Sequence, residues 1–438
     1  MDYQTDFSIA ELAARRQRLA GDIEPGAVAL IPGADRPLGV ERFRQFNDLY
    51  YLSGVEVPHA YLLIDHHGRT NLYLSENPYT RFIPKHADWI CETTGIDQVL
   101  PIGSLTRRLQ REKTVYLPSR EGEGNKMAWD SLQGWRQGVL NDPFDSRRGR
   151  NSEVAAQLRE QLPHLRLEDL SPLLEEMRHI KSESELKLMR RAGELTGLGA
   201  LAAMRATKPG VYEYELHAEL EHVYVKGGAR GDGYAPIIPG AANAGDPHYL
   251  DNQDVLEDGD IVLVDCAPDY QYYTSDIGRM WPVNGKFSPE QKALYEFVLR
   301  YHKAVLAQIR PGVMCDDVHG KAAEQMRPVF DKWEFVSKAQ RETAAILFDF
   351  KGHISHGVGM AVHEISLHRN RPFEPGMVFA VDPMAWDYKN DTFYRVEDTV
   401  VVTADGYENL TASCPIEVAE IEAVMGGAAK SQAAWQLT

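Results

Sequence analysis

The stretch Ile261-Val262-Leu263-Val264-Asp265, continuing through Asp269-Tyr270-Gln271 to Tyr273-Thr274-Ser275-Asp276, decides how the chain is read. It follows a Glu257-Asp258-Gly259-Asp260 turn, stays apolar for four residues and ends on an acid. That is the pattern of a buried strand closing on a carboxylate. A hairpin symmetric about the 270/271 bond sets positions summing to 541 opposite one another, which makes Asp265 and Asp276 direct partners. Two carboxylates at ~5 Å repel by about 3 kcal/mol at an effective dielectric near 20. A buried pair of this kind is tolerated when one acid is protonated or a cation lies between them.

The construction recurs downstream. Met377-Val378-Phe379-Ala380-Val381 is a second apolar strand with Asp382 at its end. The chain turns at Asp387-Tyr388-Lys389-Asn390-Asp391 and returns through Phe393-Tyr394-Arg395-Val396-Glu397. Positions summing to 779 then face each other, pairing Asp382 with Glu397. Four carboxylates on two buried hairpins call for about two divalent cations. An all-oxygen set suits Mn2+, and an added imidazole admits Co2+, Fe2+ or Zn2+. The imidazole is expected in Gly352-His353-Ile354-Ser355-His356-Gly357-Val358-Gly359, with His363 beyond it. Glycines beside His356 let backbone approach a ligand. His248 follows a loop of small residues, Pro239 to Gly245, of the kind that lines clefts.

An acid at one strand end is ordinarily where the chain meets water; two registered pairs beside a glycine-flanked histidine weigh against that for the set. His217 and His222 read as solvated helix faces. His363-Glu364-Ile365-Ser366-Leu367-His368 is not a zinc-protease motif, because its histidines are five apart and cannot share one helix face at i, i+4. Gly357-Val358-Gly359 is too short to argue for phosphate binding and follows no complete βα unit.

Outward from this centre, the first half alternates short strands (27–31, 60–64, 70–74, 114–117) with helical segments such as 152–161, which predicts an α/β domain over 1–173. From Ser182-Glu183-Ser184-Glu185, a capping box, longer helices (about 183–206, 212–226, 289–310 and 316–330) precede or separate strands that pair as hairpins. An α+β domain is expected over 174–438, its last residues after Gly426 a loose tail.

Bulk properties restrict the function classes. The 438 residues are 43% hydrophobic and 25% charged, enough for two ordinary globular cores. The formal charge, 47 − 64 = −17, argues against nucleic acid as a partner. The start lacks a basic and an apolar region, and no apolar run approaches the ~18 residues of a membrane span. Cys91, Cys266, Cys315 and Cys414 form no C-x-x-C pair and read as free thiols of a reducing, cytoplasmic compartment.

The order of these residues resembles the pita-bread metallopeptidase family. The match runs through Val264-Asp265, Ser275-Asp276-Ile277, Ser355-His356, Val381-Asp382-Pro383 and Arg395-Val396-Glu397-Asp398. Within the family it is most similar to the bacterial aminopeptidase P branch, on Phe43-Arg44-Gln45-Phe46-Asn47-Asp48-Leu49-Tyr50-Tyr51-Leu52-Ser53-Gly54, Trp281 to Phe287, Glu408 to Ser413 and Ile180-Lys181-Ser182. The resemblance implies a pita-bread catalytic domain behind a creatinase/aminopeptidase P-like N-terminal domain. It implies removal of the first residue from peptides with proline second, by a hydroxide bridging two metal ions; the alternatives are an Xaa-Pro dipeptidase or a non-peptidase with an altered site. It implies Asp265, Asp276, His356, Asp382 and Glu397 as ligands, with Asp276 and Glu397 bridging. Asp382 would carry a proton to the leaving nitrogen, His248 and His363 would hold substrate and oxyanion, and Arg395 would orient the acids or the peptide. It also implies a homo-oligomer, dimer or tetramer, in which Trp89 reaches a neighbouring subunit's site. This chain departs from the family at Asp382-Pro383-Met384, where the family has Glu-Pro-Gly, a side chain shorter by one C–C bond of about 1.5 Å. It also has His353 three residues before His356, where close relatives place a histidine four before.

Overall fold

The computed structural model describes residues 6–37, 39–75, 83–387 and 392–427. The chain divides into two compact units, Met1–Arg178 and His179–Thr438. The expected loose tail lies outside the described residues from 428 onward, and so does most of the 387–391 turn.

In the first unit, six strands form one mixed sheet: β1 (Val28–Pro32), β2 (Tyr61–Asp65), β3 (Thr70–Leu74), β4 (Gln98–Pro101), β5 (Thr114–Leu117) and β6 (Arg166–Asp169), in the order β4-β3-β2-β1-β5-β6. β2 and β3 form the expected hairpin, Tyr61 facing Tyr73. Its turn is set by Asp65, whose side chain accepts from the amides of His67 and Arg69, and by Gly68 at φ +82°. β1 pairs with β2 antiparallel, whereas the β3–β4, β1–β5 and β5–β6 pairs are parallel, their connections carrying helices as parallel crossovers require. The segment 43–54 earns its buried polar residues by hydrogen bonding. The Gln45 amide oxygen accepts from Ala34 N at 2.6 Å, Arg44 donates to Asn47, and Asn47 donates to Glu123. The helix Asn47–Ser53 stops at Gly54, which takes the left-handed conformation.

The second unit packs helices Glu183–Ala206, Glu213–Lys226, Pro289–Leu306 and Cys315–Lys332 with an antiparallel sheet. Ser182 and Glu185 close the expected capping box, and Ser288 with Gln291 closes another at the start of the third helix, with Pro289 in its first turn. The strands are β7 (Ile261–Asp265), β8 (Ile277–Pro282), β9 (Ile354–Gly357), β10 (Val378–Val381), β11 (Met384–Asp387), β12 (Thr392–Arg395), β13 (Glu397–Val402) and β14 (Tyr407–Asn409). Their order is β7-β8-β13-β10-β9, with β14 on β13 and β11-β12 as a separate ribbon. Val262, Val264, Trp281, Phe297 and Phe379 are buried in one core that spans sheet and helices.

The first hairpin differs from expectation by two residues. Asp265 faces Gly278, so the register sums to 543 and not 541. The cause is the turn. Tyr270 and Tyr273 close it, and Gln271 and Tyr272 take φ of 50° and 74°, the two left-handed positions of a type I′ turn centred one residue later than the 270/271 bond. In the second hairpin the 779 register holds on both sides of a break: Val381 faces Asp398 and Met384 faces Arg395. Pro383 interrupts the ladder there, dividing one long hairpin into β10-β13 and β11-β12.

Candidate metal centre

The ends of four neighbouring strands, β7, β8, β13 and β10, deliver the acids. Asp265 ends β7 and Asp276 directly precedes β8, where the Thr399 hydroxyl accepts from the Asp276 amide and donates to its carbonyl. Glu397 opens β13 and faces Gly278, the same residue that faces Asp265. Asp382 lies just past β10, with its amide donating to His353 O at 2.7 Å. None of the four is more than 4% exposed, so their charges must be met from within the protein or by an ion.

Arg395 supplies part of that charge. Its Nε and Nη2 reach the two oxygens of Asp382 at 2.7 and 3.1 Å. Its Nη1 donates to Asp265, and Nη2 stands 2.6 Å from Glu397 Oε2. The side chain runs over Gly278, where a Cβ would come within 3.0 Å of Arg395 Cδ. Tyr234 completes the enclosure, its hydroxyl 2.7 Å from Asp265 Oδ1 and 2.6 Å from Asp276 Oδ1. A phenol has one proton to donate, so the pair of short contacts is satisfied when one carboxyl carries a proton. Burial, and then the charge of Asp265, push the Asp276 carboxyl well above the usual range. Burial does the same to Glu397 and raises Asp382, against the pull of Arg395 in both.

His356 lies on β9 with Nε2 3.4 Å from Asp276 Oδ2. Burial, reinforced by His363, holds its imidazole well below the ordinary value, hence neutral and able to bind a metal. The His356 and His363 rings are 4.1 Å apart, and His248, exposed, is 6.3 Å from His363. Glu364 fixes this loop. It accepts from Lys181 at 2.8 Å and from Met360 N at 2.9 Å, and its backbone pairs with Gly357.

The residues fit divalent cations. Ligand atoms of Asp265, Asp276 and Glu397 lie within 4.8 Å of one another, as do those of Asp276, His356 and His363. Both Glu397 oxygens lack a hydrogen bond among the described residues, since the Arg395 contact is one of charge and not of hydrogen-bond geometry. Asp382 belongs to neither group.

Of the residues singled out in the sequence, Asp265, Asp276, His356, His363, Asp382, Arg395 and Glu397 thus converge, with His248 at the margin. Trp89 lies in the first unit, half-buried in the helix Ile83–Thr94. His353 is buried, its Nε2 2.8 Å from Leu347 O, and it packs on Tyr301 and His319 away from the acids. His217, expected on a solvated face, is half-buried and 2.9 Å from Asp232. The four cysteines are free thiols as expected. The sequence reading missed Tyr234, which reaches the acids from a loop 31 residues before Asp265. It also missed Arg279, whose buried guanidinium is 2.5 Å from Asp398 and also donates to Glu397 O. Asp398 therefore braces β13 from below, while Glu397 faces the site.

Residues 187–404 match the model of metallopeptidase family M24, and residues 12–116 match that of the aminopeptidase P N-terminal domain. The Xaa-Pro aminopeptidase of Escherichia coli K12 is 31% identical over 97% of this chain and 100% of its own length. An aminopeptidase structure from Pseudomonas aeruginosa superposes with a TM-score of 0.75 at 29% identity, covering 96% of this chain and 99% of that one. The structure of E. coli aminopeptidase P with the inhibitor Pro-Leu gives 0.76 at 28% identity, with 96% and 99% coverage.

Proposed function

Since the chain belongs to metallopeptidase family M24, with the domain pair of the aminopeptidase P relatives, we propose that it removes the N-terminal residue from peptides with proline second, using two divalent ions. The observation that carries the two-ion reading is the pair of ligand groups that share Asp276. The residues that would hold the ions are Asp265, Asp276, His356, Asp382 and Glu397. Mn2+ is the ion put first, with Co2+, Fe2+ or Zn2+ as alternatives; the E. coli relative has been solved zinc-substituted with product. When bound, such ions polarise the scissile carbonyl and make water nucleophilic near neutral pH.

The protein's own groups do the rest. Arg395 and Tyr234 fix the acids, so that no carboxylate must reorganise as charge develops. Asp382, whose carboxyl burial raises against the pull of Arg395, is the acid placed to pass a proton to the leaving proline nitrogen. His248 and His363 offer N–H donors to the substrate and to the developing oxyanion. The domains are assigned as 1–173 and 174–438, supported by matches that stay within each. A cytoplasmic location is supported by four free cysteines; among the described residues no helix is long and apolar enough to cross a membrane. The assembly is a dimer or tetramer in which Trp89 of one subunit contributes to a neighbour's substrate site.

A second reading, an Xaa-Pro dipeptidase, has support from the rat Xaa-Pro dipeptidase, 31% identical over 60% of this chain. The match at 12–116 to the aminopeptidase P N-terminal domain favours the first. The test is cleavage of an Xaa-Pro-Xaa tripeptide against an Xaa-Pro dipeptide, with metal analysis of the same sample. Preferential tripeptide cleavage is expected; turnover of the dipeptide alone would establish the second reading.

A further inference from the structure

We propose that Glu213 is the positioning residue of the 239–254 loop, and that its buried carboxylate holds His248 in place for the substrate. The proposal rests on the reading of His248 as a substrate donor in a peptidase site.

The loop begins on the frame of the metal centre. Ile237 pairs with Asp265 and Gly240 with Val262, so its entry is laddered to β7. Asn252, left-handed at φ 48°, closes over this entry. Its side-chain oxygen accepts from Ile238 N at 2.9 Å, and its amide donates to Pro236 O at 2.8 Å. Beyond Gly240 the chain leaves β7, and Glu213 gathers it. Oε1 accepts from Gly240 N at 2.8 Å and from Asn243 Nδ2 at 3.3 Å. Oε2 accepts from the Tyr249 hydroxyl at 2.9 Å and from Asp254 N at 3.1 Å. These bonds fill the acceptor positions of a carboxylate. That is what makes the full burial of Glu213 tolerable.

His248 lies between the bonds. Its amide donates to Asp246 Oδ1 at 2.9 Å, and Asp246 N donates to Asn243 O at 3.2 Å. Tyr249 is the next residue. His248, itself exposed, is therefore tied to Glu213 from both sides, through Asn243 and through Tyr249. Burial, and then the bond to Glu213, push the Tyr249 phenol up to about 12, so it remains a donor.

Glu213→Gln conserves volume and breaks this arrangement. Whichever way the new amide turns, its NH2 faces one pair of donors. Asn243 or Tyr249 can turn to accept; the backbone N–H of Gly240 or Asp254 cannot, and is left unpaired.

The test measures cleavage of an Xaa-Pro-Xaa tripeptide and bound metal for wild type, Glu213→Gln, His248→Ala and the double variant, with hydrogen exchange of the loop amides. Glu213→Gln is expected to lower kcat/KM about 10–100-fold, through a displaced substrate donor. Metal content should equal that of wild type, and exchange should quicken at 240–254 while β7 and β8 stay protected. In the His248→Ala background, Glu213→Gln should change kcat/KM by less than about 3-fold, because the positioned group is already gone. Wild-type kcat/KM in Glu213→Gln, or the same loss with and without His248, overturns the proposal. Wild-type kcat/KM in His248→Ala also overturns it, by removing the substrate role of His248. If Glu213→Gln does not fold, Tyr249→Phe removes one bond and keeps the carboxylate; a loss of about 3–10-fold is then expected, with the same dependence on His248. A wild-type protein that leaves the tripeptide uncut refutes the peptidase reading, and exchange at 240–254 then decides whether Glu213 holds the loop.

Discussion

Arg395→Met is the most informative perturbation of the metal-free protein. The variant keeps most of the side chain's length and removes the one guanidinium that, among the described residues, touches Asp265, Asp382 and Glu397 together. At an effective dielectric near 20, each opposite charge at roughly 4 Å contributes about 4 kcal/mol, or about 12 kcal/mol gross for three acids. Desolvation of the guanidinium offsets much of this. What remains is the cost of leaving buried acids without their partner, about 3–5 kcal/mol. For a unit of this size, each kcal/mol moves the melting temperature by about 2–4 °C, so metal-free Arg395→Met should melt about 6–20 °C below metal-free wild type. Saturating Co2+ or Mn2+ should close most of that gap, because the ions then meet the acids' charge. Differential scanning fluorimetry of both proteins, after chelation and after reloading, measures it. Metal-free melting temperatures within 2 °C of each other would refute the claim that Arg395 compensates the acid cluster.

Tyr234→Phe removes two short hydrogen bonds that hold Asp265 and Asp276, and should weaken metal binding ~10–100-fold without unfolding the protein; calorimetric titration showing unchanged affinity would discard the orienting role. Burial pulls the imidazoles of His319, His353 and His368 down to about 4, 3 and 3. The unfolded chain binds those protons near pH 6.5 and the folded one does not, so the stability they allow is present above 6.5 and is lost as pH falls toward 3. His368, packed on Phe373 and Phe379 with neither ring nitrogen hydrogen-bonded among the described residues, is the cleanest probe: His368→Phe should reduce the slope of stability against pH by about 1.4 kcal/mol per unit between pH 6 and 4, and urea unfolding with an unaltered slope would contradict it. Trp89→Ala should raise KM and leave bound metal unchanged; a monomeric protein at working concentration removes the ground for that expectation.

The sequence made the acids' positions legible because hairpin geometry is local. The 779 register held across Pro383, since strands of period two keep their facing once the turn is placed. The first hairpin shifted because Gln271 and Tyr272 occupy left-handed positions that usually advertise themselves with Gly or Asn. The slip of two, an even number, still left Asp265 and Asp276 on one face. A slip of one would have sent them to opposite sides. Contacts between elements had no such periodic signal. Nothing near Tyr234 in the sequence points to Asp265 or Asp276. Arg395 could be placed on the face of Glu397 by its spacing of two, but not between three acids.

Gly278 shows most directly why that part was hidden. A glycine within a strand reads as a weak point, a position with no side chain to pack. Here it faces Asp265 on one side and Glu397 on the other, in the strand between them. A Cβ at 278 would lie 3.0 Å from Arg395 Cδ and 3.2 Å from Arg395 Nε, closer than a guanidinium arm gripping Asp382 can readily yield. The absence of a side chain at the centre of the sheet is therefore what admits the cation that offsets the repulsion among the acids. That function belongs to a space bounded by three strands, and no single stretch of sequence describes it.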